Sequence, residues 1–275
     1  MATKPFLKWA GGKTKVLEHI LPLIGDSEHF IEPFAGSLAV GLNVPSKVCV
    51  LNDVNAALMD LYKILIGEGE EFVDYCESFF EGGNQSEIYY ENRTKFNQTK
   101  DWREKSALFL YLNRHGFNGL TRYNKSGEFN VPFGKYKKPY FPREEMMTFM
   151  HTMQRKMLVR MTALDFCDPL LYKNMSQGVV VYCDPPYIPL SDTSNFTSYS
   201  TDGFTNQDQL RLKQLALNLK RLYGAKVIIS NHDVPAAREL YNDANRIIEI
   251  DVRRSVSAKA GSRGKVGEIL AVYEP

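Results

Sequence analysis

The hydrophobic positions near the N-terminus alternate between strand-like and helix-like spacing. His29-Phe30-Ile31-Glu32-Pro33-Phe34 predicts a strand ending in a turn at Gly36, followed by a helix over residues 38–42. Lys47-Val48-Cys49-Val50-Leu51-Asn52-Asp53 is apolar almost throughout, as strands buried on both faces of a parallel sheet are. Leu58, Leu61, Tyr62 and Leu65 then recur at helical spacing across residues 55–66. From about residue 55 to residue 142 the strands stop, and two helices are expected at 87–96 and 103–113. Gly116, Gly119, Gly127 and Gly134, with Pro132 and Pro139, mark a turn-rich, hairpin-like stretch after them. The α/β rhythm returns with a strand over 177–184, an amphipathic helix over 210–222 and a buried strand over 225–230. Two β-rich runs, 246–253 and 265–273, close the chain. The pattern predicts an α/β core of residues 1–55 and 143–275, interrupted by an insertion at 56–142.

Composition sharpens this picture in two places. No stretch approaches the roughly 18 uninterrupted apolar residues of a membrane span, and Met1-Ala2-Thr3-Lys4-Pro5 lacks the features of a secretory signal. Cys49, Cys76, Cys167 and Cys183 are scattered, without a C-x-x-C pair or a nearby histidine cluster. They read as reduced thiols of a cytoplasmic protein that needs no metal and no disulfide frame. Charge is the second place. Residues 88–143 hold twelve Lys+Arg against four Asp+Glu, a local excess of +8 in a chain whose formal net charge is +2. The same window holds thirteen of the thirty-three aromatic residues. A basic, aromatic segment suits nucleic acid, a polyanion that also offers flat faces to stack on. The alternative is a solvated basic face above an aromatic core.

The sharpest chemical feature is Asp184-Pro185-Pro186-Tyr187, directly after the strand at 177–184. In open parallel sheets ligands bind outside the carboxyl ends of strands, where this tetrapeptide falls. Two successive prolines remove two amide donors and fix two φ angles, leaving the Asp184 carboxylate and the Pro185 carbonyl as rigid acceptors. Adenine's amino nitrogen is a poor nucleophile because its lone pair is delocalised into the ring. Two fixed acceptors can bind both amino hydrogens and favour a tetrahedral nitrogen, an interaction strongest where positive charge develops. Tyr187 offers a face on which an extruded base can stack. The alternative is a strand stopped by a Pro-Pro turn with an aromatic plug. Pro33-Phe34-Ala35-Gly36 after the first strand and Asp53 at the end of the second fit a nucleotide-type cofactor, with glycine permitting close approach and the acid accepting from ribose hydroxyls. Gly12-Lys13-Thr14 resembles the end of a phosphate-binding loop, but Leu7 stands where that loop needs glycine.

Together these residues resemble the Dam-type DNA adenine-N6 methyltransferases of bacteria and phages. Leu7-Lys8-Trp9-Ala10-Gly11-Gly12-Lys13 is similar to the family's N-terminal signature, Glu32-Pro33-Phe34-Ala35-Gly36 to its cofactor loop, and Asp184-Pro185-Pro186-Tyr187 to its catalytic tetrapeptide. Phe109-Leu110-Tyr111-Leu112-Asn113-Arg114, Gly127-Glu128-Phe129-Asn130-Val131-Pro132-Phe133-Gly134, Ser230-Asn231-His232-Asp233 and Val252-Arg253-Arg254-Ser255 extend the likeness from about Phe6 to Tyr273. The resemblance implies a Rossmann-like class I methyltransferase sheet with an inserted, mostly helical plus β-hairpin target-recognition domain. It implies S-adenosylmethionine as methyl donor, with S-adenosylhomocysteine as product, and double-stranded DNA as partner, without an obligate protein partner. Trp9, Lys13, Asp53 and Asp184 would contact the donor, and Phe34 and Gly36 would line its pocket. The target would be adenine in 5′-GATC-3′. Arg122 would read a guanine; Lys8, Leu120, Pro132 and Tyr136 match other base-contacting positions, and Phe117 one where an aromatic enters the base stack. Arg93, Arg114, Lys125, Lys137 and Lys138 are phosphate candidates. Asn118 and Thr121 lie in the reading loop, and Leu38 stands where family loops often carry a second glycine. The basic, Gly/Ser-rich run 253–265 reads as a mobile loop between two strands, either one that orders on DNA or a floppy hairpin tip.

Rival chemistries fare worse. Cytosine-C5 methylation needs a cysteine after proline, where Tyr187 stands, and hydrolytic deamination needs H-x-E with P-C-x-x-C, which does not occur. Methylation of a protein glutamine is disfavoured by the basic, aromatic insertion. An RNA adenine methyltransferase, or a DNA-binding protein with an inactive core, remains the competing reading.

Overall fold

The computed structural model describes residues 2–175, 177–189, 203–250 and 267–275. Seven strands, β1 (His29–Glu32), β2 (Val48–Asn52), β3 (Leu158–Thr162), β4 (Val180–Cys183), β5 (Lys226–His232), β6 (Arg246–Ile250) and β7 (Glu268–Tyr273), form one sheet in the order β3-β2-β1-β4-β5-β7-β6. β1 runs parallel to β2 and β4, and β4 parallel to β5, whereas β7 is antiparallel to both β5 and β6. This is the α/β core that the strand pattern predicted, with the Rossmann-like methyltransferase architecture that the resemblance implied. All four residues of β4 and all six of β7 are buried, which explains their continuous apolar runs.

The helices are α1 (Leu17–Ile24), α2 (Ala56–Glu68), α3 (Glu70–Ser78), α4 (Ser86–Gln98), α5 (Trp102–His115), α6 (Arg143–Gln154), α7 (Asn206–Tyr223) and α8 (Pro235–Leu240). Local chemistry sets their ends. Asn55 caps α2 by accepting the Leu58 amide, and Asp101 caps α5 by accepting those of Arg103 and Glu104. A reciprocal Thr205–Asp208 capping box opens α7, and Gly224 in the left-handed conformation closes it. α5 is buried without interruption from Ser106 to His115, so it forms the centre of the helical region and not a surface cover.

The chain divides into two compact units. One comprises Met1–Lys15, Ala35–Asn43 and Asp53–Ala163; the other comprises Val16–Phe34, Val44–Asn52 and Leu164–Pro275. The first unit thus takes in residues 56–142 together with the N-terminal loop, the turn after β1 and the segment around α6. None of the helices among the described residues is long and apolar enough to cross a membrane.

One sequence expectation is corrected. Residues 38–42 do not form a helix. Leu38 adopts a φ of +61°, in the left-handed region, and the segment forms turns, with Leu38 N–H to Ala35 O at 2.7 Å, Leu42 N–H to Leu38 O at 2.9 Å and Asn43 N–H to Val40 O at 2.8 Å. Leu38 therefore occupies a backbone conformation that suits glycine. Its fully buried side chain offsets the strain, because burying a leucine is worth about 1.5–3 kcal/mol against about 1–2 kcal/mol for the left-handed backbone. The basic run 253–265 lies outside the described residues.

Candidate active site

In the first unit, the turn after β1 and the end of β2 converge on Gly36. Its φ of +47° is one that a side chain resists, and a Cβ there would fall 2.7 Å from the Trp9 indole nitrogen. The Gly36 amide donates to Asp53 Oδ2 at 2.9 Å, the Asn55 amide donates to Asp53 Oδ1 at 2.9 Å, and the Tyr62 hydroxyl donates to the Gly36 carbonyl at 2.8 Å. Burial pushes the Asp53 carboxyl pKa up, and the two amides pull against that shift. Each carboxylate oxygen carries further acceptor capacity beyond its single amide, as a ribose diol would use. Val54 beside it is 80% exposed, an apolar surface next to an oriented acid. Lys13 is buried, with its ammonium donating to the Gly11 carbonyl at 2.7 Å. Trp9, Gly36 and Asp53 are therefore brought together as the sequence suggested. Tyr62, legible in the sequence only as part of a helical stripe, is an additional member.

In the second unit, Asp184-Pro185-Pro186-Tyr187 follows the carboxyl end of β4, which lies between β1 and β5. Asp184 is half-buried and Pro185 buried. The Tyr187 hydroxyl donates to Glu268 Oε2 at 3.1 Å, and its ring meets His232 edge-on at 4.8 Å between centroids. Burial, reinforced by the Asp184 charge, drives the Tyr187 phenol well above its usual pKa, so it is a neutral donor. Phe34 packs on Phe166 at 5.2 Å and Phe204 at 5.7 Å. Glu268 and His232 were given no role from the sequence: their relation to Tyr187 is made by strand pairing, in which His232 of β5 faces Glu268 of β7.

The turn-rich stretch in the first unit is a hairpin, with antiparallel bridges Gly116–Phe133 and Tyr123–Phe129. Phe117 is 48% exposed on its 3-10 turn, and Asn118 beside it has a φ of +54°, tolerable for asparagine. Leu120 is half-buried, and Arg122, Lys125, Pro132, Lys137 and Lys138 are exposed. Asn130 holds the Arg122 guanidinium through its side chain, Nε to Oδ1 at 2.8 Å, and through its carbonyl, Nη2 to O at 3.3 Å. The Lys8 ammonium lies 4.0 Å above the Tyr136 ring. The Asn113 carboxamide ties Lys8 and the hairpin together, accepting from Lys8 N at 3.0 Å and donating to Lys8 O at 2.8 Å and Gly119 O at 3.2 Å.

Arg114 departs from its expected place. Only 9% exposed, it donates to the Tyr140 carbonyl at 2.9 Å and the Phe6 carbonyl at 3.3 Å, so it is an internal tie and not a surface phosphate contact. Arg93 is half-buried and donates to the Val131 carbonyl at 3.1 Å. The +8 excess is also less uniform than its count suggests. Arg103 pairs with Glu68 and Glu71, Arg143 with Glu70, Asp74 and Glu77, and Lys95 with Glu104. Among the described residues no carboxylate reaches ion-pair distance of Arg122, Lys125, Lys135, Lys137 or Lys138, so unneutralised charge concentrates on the hairpin.

A seven-stranded sheet in which β7 runs antiparallel to both its neighbours, a glycine–aspartate cradle after its first strands and Asp-Pro-Pro-Tyr at a strand's carboxyl end define a methyltransferase of the Rossmann-like class. The chain belongs to the D12 class N6 adenine-specific DNA methyltransferases, whose family model matches residues 9–256. It is 43% identical over 275 residues to the DNA adenine methylase of Escherichia coli (strain K12), covering 99% of this chain and 96% of that protein. It is 40% identical over 273 residues to the DNA adenine methylase of Vibrio cholerae serotype O1, with the same coverage. It is also 43% identical over 271 residues to the DNA N-6-adenine-methyltransferase of Escherichia phage P1, covering 98% of this chain and 35% of that larger protein. The protein is accordingly an enzyme that methylates adenine in DNA at N6.

Proposed function

We propose that the enzyme takes its methyl group from S-adenosylmethionine and delivers it to an adenine extruded from duplex DNA, within 5′-GATC-3′. The observation that carries the reading is the Asp184-Pro185-Pro186-Tyr187 turn at the end of β4, stiffened by its prolines and anchored through the Tyr187 phenol. S-adenosylmethionine supplies an electrophilic methyl group. The Asp184 carboxylate and the Pro185 carbonyl accept hydrogen bonds from the two amino hydrogens of the target, favouring N6 as positive charge develops there. The S–CH3 bond's electron pair stays with S-adenosylhomocysteine, and N6 releases one proton to solvent. The Tyr187 ring supports the extruded base. The cradle of Trp9, Gly36 and Asp53 fits the methyl donor, because the space a Cβ would fill at Gly36 is needed by the indole, and Asp53 retains acceptor capacity. Lys13 and Phe34 are assigned to the same ligand, with Val54 packing on its base.

We assign residues 56–142, with Lys8, to target recognition. Phe117 enters the stack, Arg122 reads a guanine, and Asn118, Leu120, Pro132 and Tyr136 touch neighbouring bases, while Lys125, Lys137 and Lys138 hold phosphates. The direct test is transfer of labelled methyl from S-adenosylmethionine to duplexes with and without GATC. N6-methyladenine confined to the GATC duplex is expected. Equal labelling of both duplexes would refute the specificity, and no labelling of either would refute the donor or the turn's role.

Gly36→Ala would force a left-handed alanine against the indole. The expected cost is about 1–2 kcal/mol in stability, and the same energy in donor binding is roughly tenfold in Kd; calorimetry with S-adenosylmethionine checks both. Arg122→Ala should leave donor binding intact and cost about 1–3 kcal/mol of discrimination at one base pair. Transfer rates on duplexes substituted at each position of the site would show it, and an unchanged preference would take Arg122 out of the readout.

A further inference from the structure

The prolines that stiffen the turn also strip it of amide donors at 185 and 186, so those two positions cannot tie it down through main-chain N–H groups. Buried side chains from elsewhere in the second unit do so instead. Gln209 on α7 donates from Nε2 to the Pro186 carbonyl at 2.8 Å. Asn231 on β5 accepts the Ile188 amide at 2.9 Å, and the same oxygen takes the His232 amide at 2.9 Å. His232 Nδ1 donates to the Ile188 carbonyl at 2.6 Å. The two carboxamides are joined, Asn231 Nδ2 to Gln209 Oε1 at 3.4 Å, and the Tyr241 hydroxyl donates to that same Gln209 oxygen at 3.0 Å. The main chain is thus gripped on both sides of Tyr187.

Packing does not call for a glutamine at this position. The other buried residues of α7 are Leu212, Ala216 and Leu219, and an apolar neighbour would avoid burying a carboxamide. Gln209 is 5% exposed and Asn231 0% exposed, yet each is satisfied by bonds to the turn and to the other. The polar pair is accounted for by what it holds.

We propose that Gln209 and Asn231 are positioning residues for methyl transfer. By fixing the main chain at Pro186 and Ile188 they set the tilt of the Tyr187 ring and the direction of the Asp184 and Pro185 acceptors. The assignment rests on the turn being the chemical centre. Gln209→Met keeps length while removing donor and acceptor. Its single-turnover transfer rate should fall by up to about 10²-fold, as small misplacements of reacting groups do, with affinities for S-adenosylmethionine and duplex DNA unchanged. Gln209→Glu can donate to the Pro186 carbonyl only when protonated, so its rate should recover as pH falls where the wild-type rate does not. A glutamine that served the fold alone would create no such pH profile.

If Gln209→Met does not fold, Tyr241→Phe removes the hydroxyl that orients the Gln209 carbonyl and should slow single turnover several-fold. A wild-type rate in Gln209→Met, or in Tyr241→Phe where only that variant folds, overturns the proposal. So does a Gln209→Glu pH profile superimposable on the wild type. Asp184→Ala measured alongside separates the two levels. Wild-type transfer in that variant refutes the turn's role; its loss beside a normal Gln209→Met refutes the positioning alone.

Discussion

Replacing Asp184 with alanine is expected to lower methyl transfer about 10²–10³-fold, the usual cost of deleting one hydrogen-bonding group aimed at developing charge. Affinity for DNA should change little, because the exposed cations reside on the hairpin and not on the turn. The size of the effect follows from the role proposed for the carboxylate: it would bind an amino hydrogen weakly while the lone pair is delocalised and strongly once the nitrogen turns tetrahedral. Asp184 is half-buried at the end of a fully buried strand, so its acceptor is oriented before the target arrives. Single-turnover transfer, with binding measured separately, distinguishes this from a general loss of structure. A variant that transfers at the wild-type rate would remove Asp184 from the chemistry.

Salt is expected to weaken DNA binding steeply, but less steeply than the raw charge of the segment suggests. Counterion release scales with the phosphates neutralised, with a slope of about −0.9 per contact in log Kobs against log salt. If all of the +8 excess met phosphate, the slope would be about −7. Arg103, Arg143 and Lys95 are committed to carboxylates, Arg114 and Arg93 to carbonyls, and Lys105 lies over the Phe96 ring on the helices with Lys100 near it in sequence, which leaves Lys125, Lys135, Lys137 and Lys138 on the hairpin beside Arg122, the proposed base reader. Four such contacts give a slope of about −4, or roughly 10²-fold between 50 and 200 mM salt. A slope near −7 would show that DNA recruits the paired cations, and a flat response would move the contact surface away from the hairpin.

The parts of the fold that were legible are those whose sequence records burial. β1, β2, β4 and β5 show as apolar runs because both faces of a parallel sheet are covered. β3 left no such trace, since none of Leu158, Val159, Arg160, Met161 and Thr162 is fully buried. α6 was missed although Met146, Phe149, Met150 and Met153 keep helical spacing, because Arg143-Glu144-Glu145 opens it and Thr148, His151 and Thr152 break up the apolar run. The failed helix at 38–42 turns on one dihedral angle, which composition does not reveal. Of the candidate site, Asp184-Pro185-Pro186-Tyr187 and the Gly36 loop stand out because each is a contiguous motif, and the structure sets Trp9 and Asp53, separate in sequence, against Gly36. Glu268 and Gln209 do not stand out, since they reach the turn from 81 and 23 residues away. Arg114 was misplaced for a related reason: a basic residue looks the same in sequence whether its guanidinium meets solvent or an internal carbonyl.

The central claim is tested most directly by mapping modified adenines in the DNA of cells expressing the protein beside cells expressing Asp184→Ala. N6-methyladenine at one short sequence, present with the wild type and absent with the variant, is the predicted result. Modified adenines at the same positions with both proteins would contradict it, as would none with either.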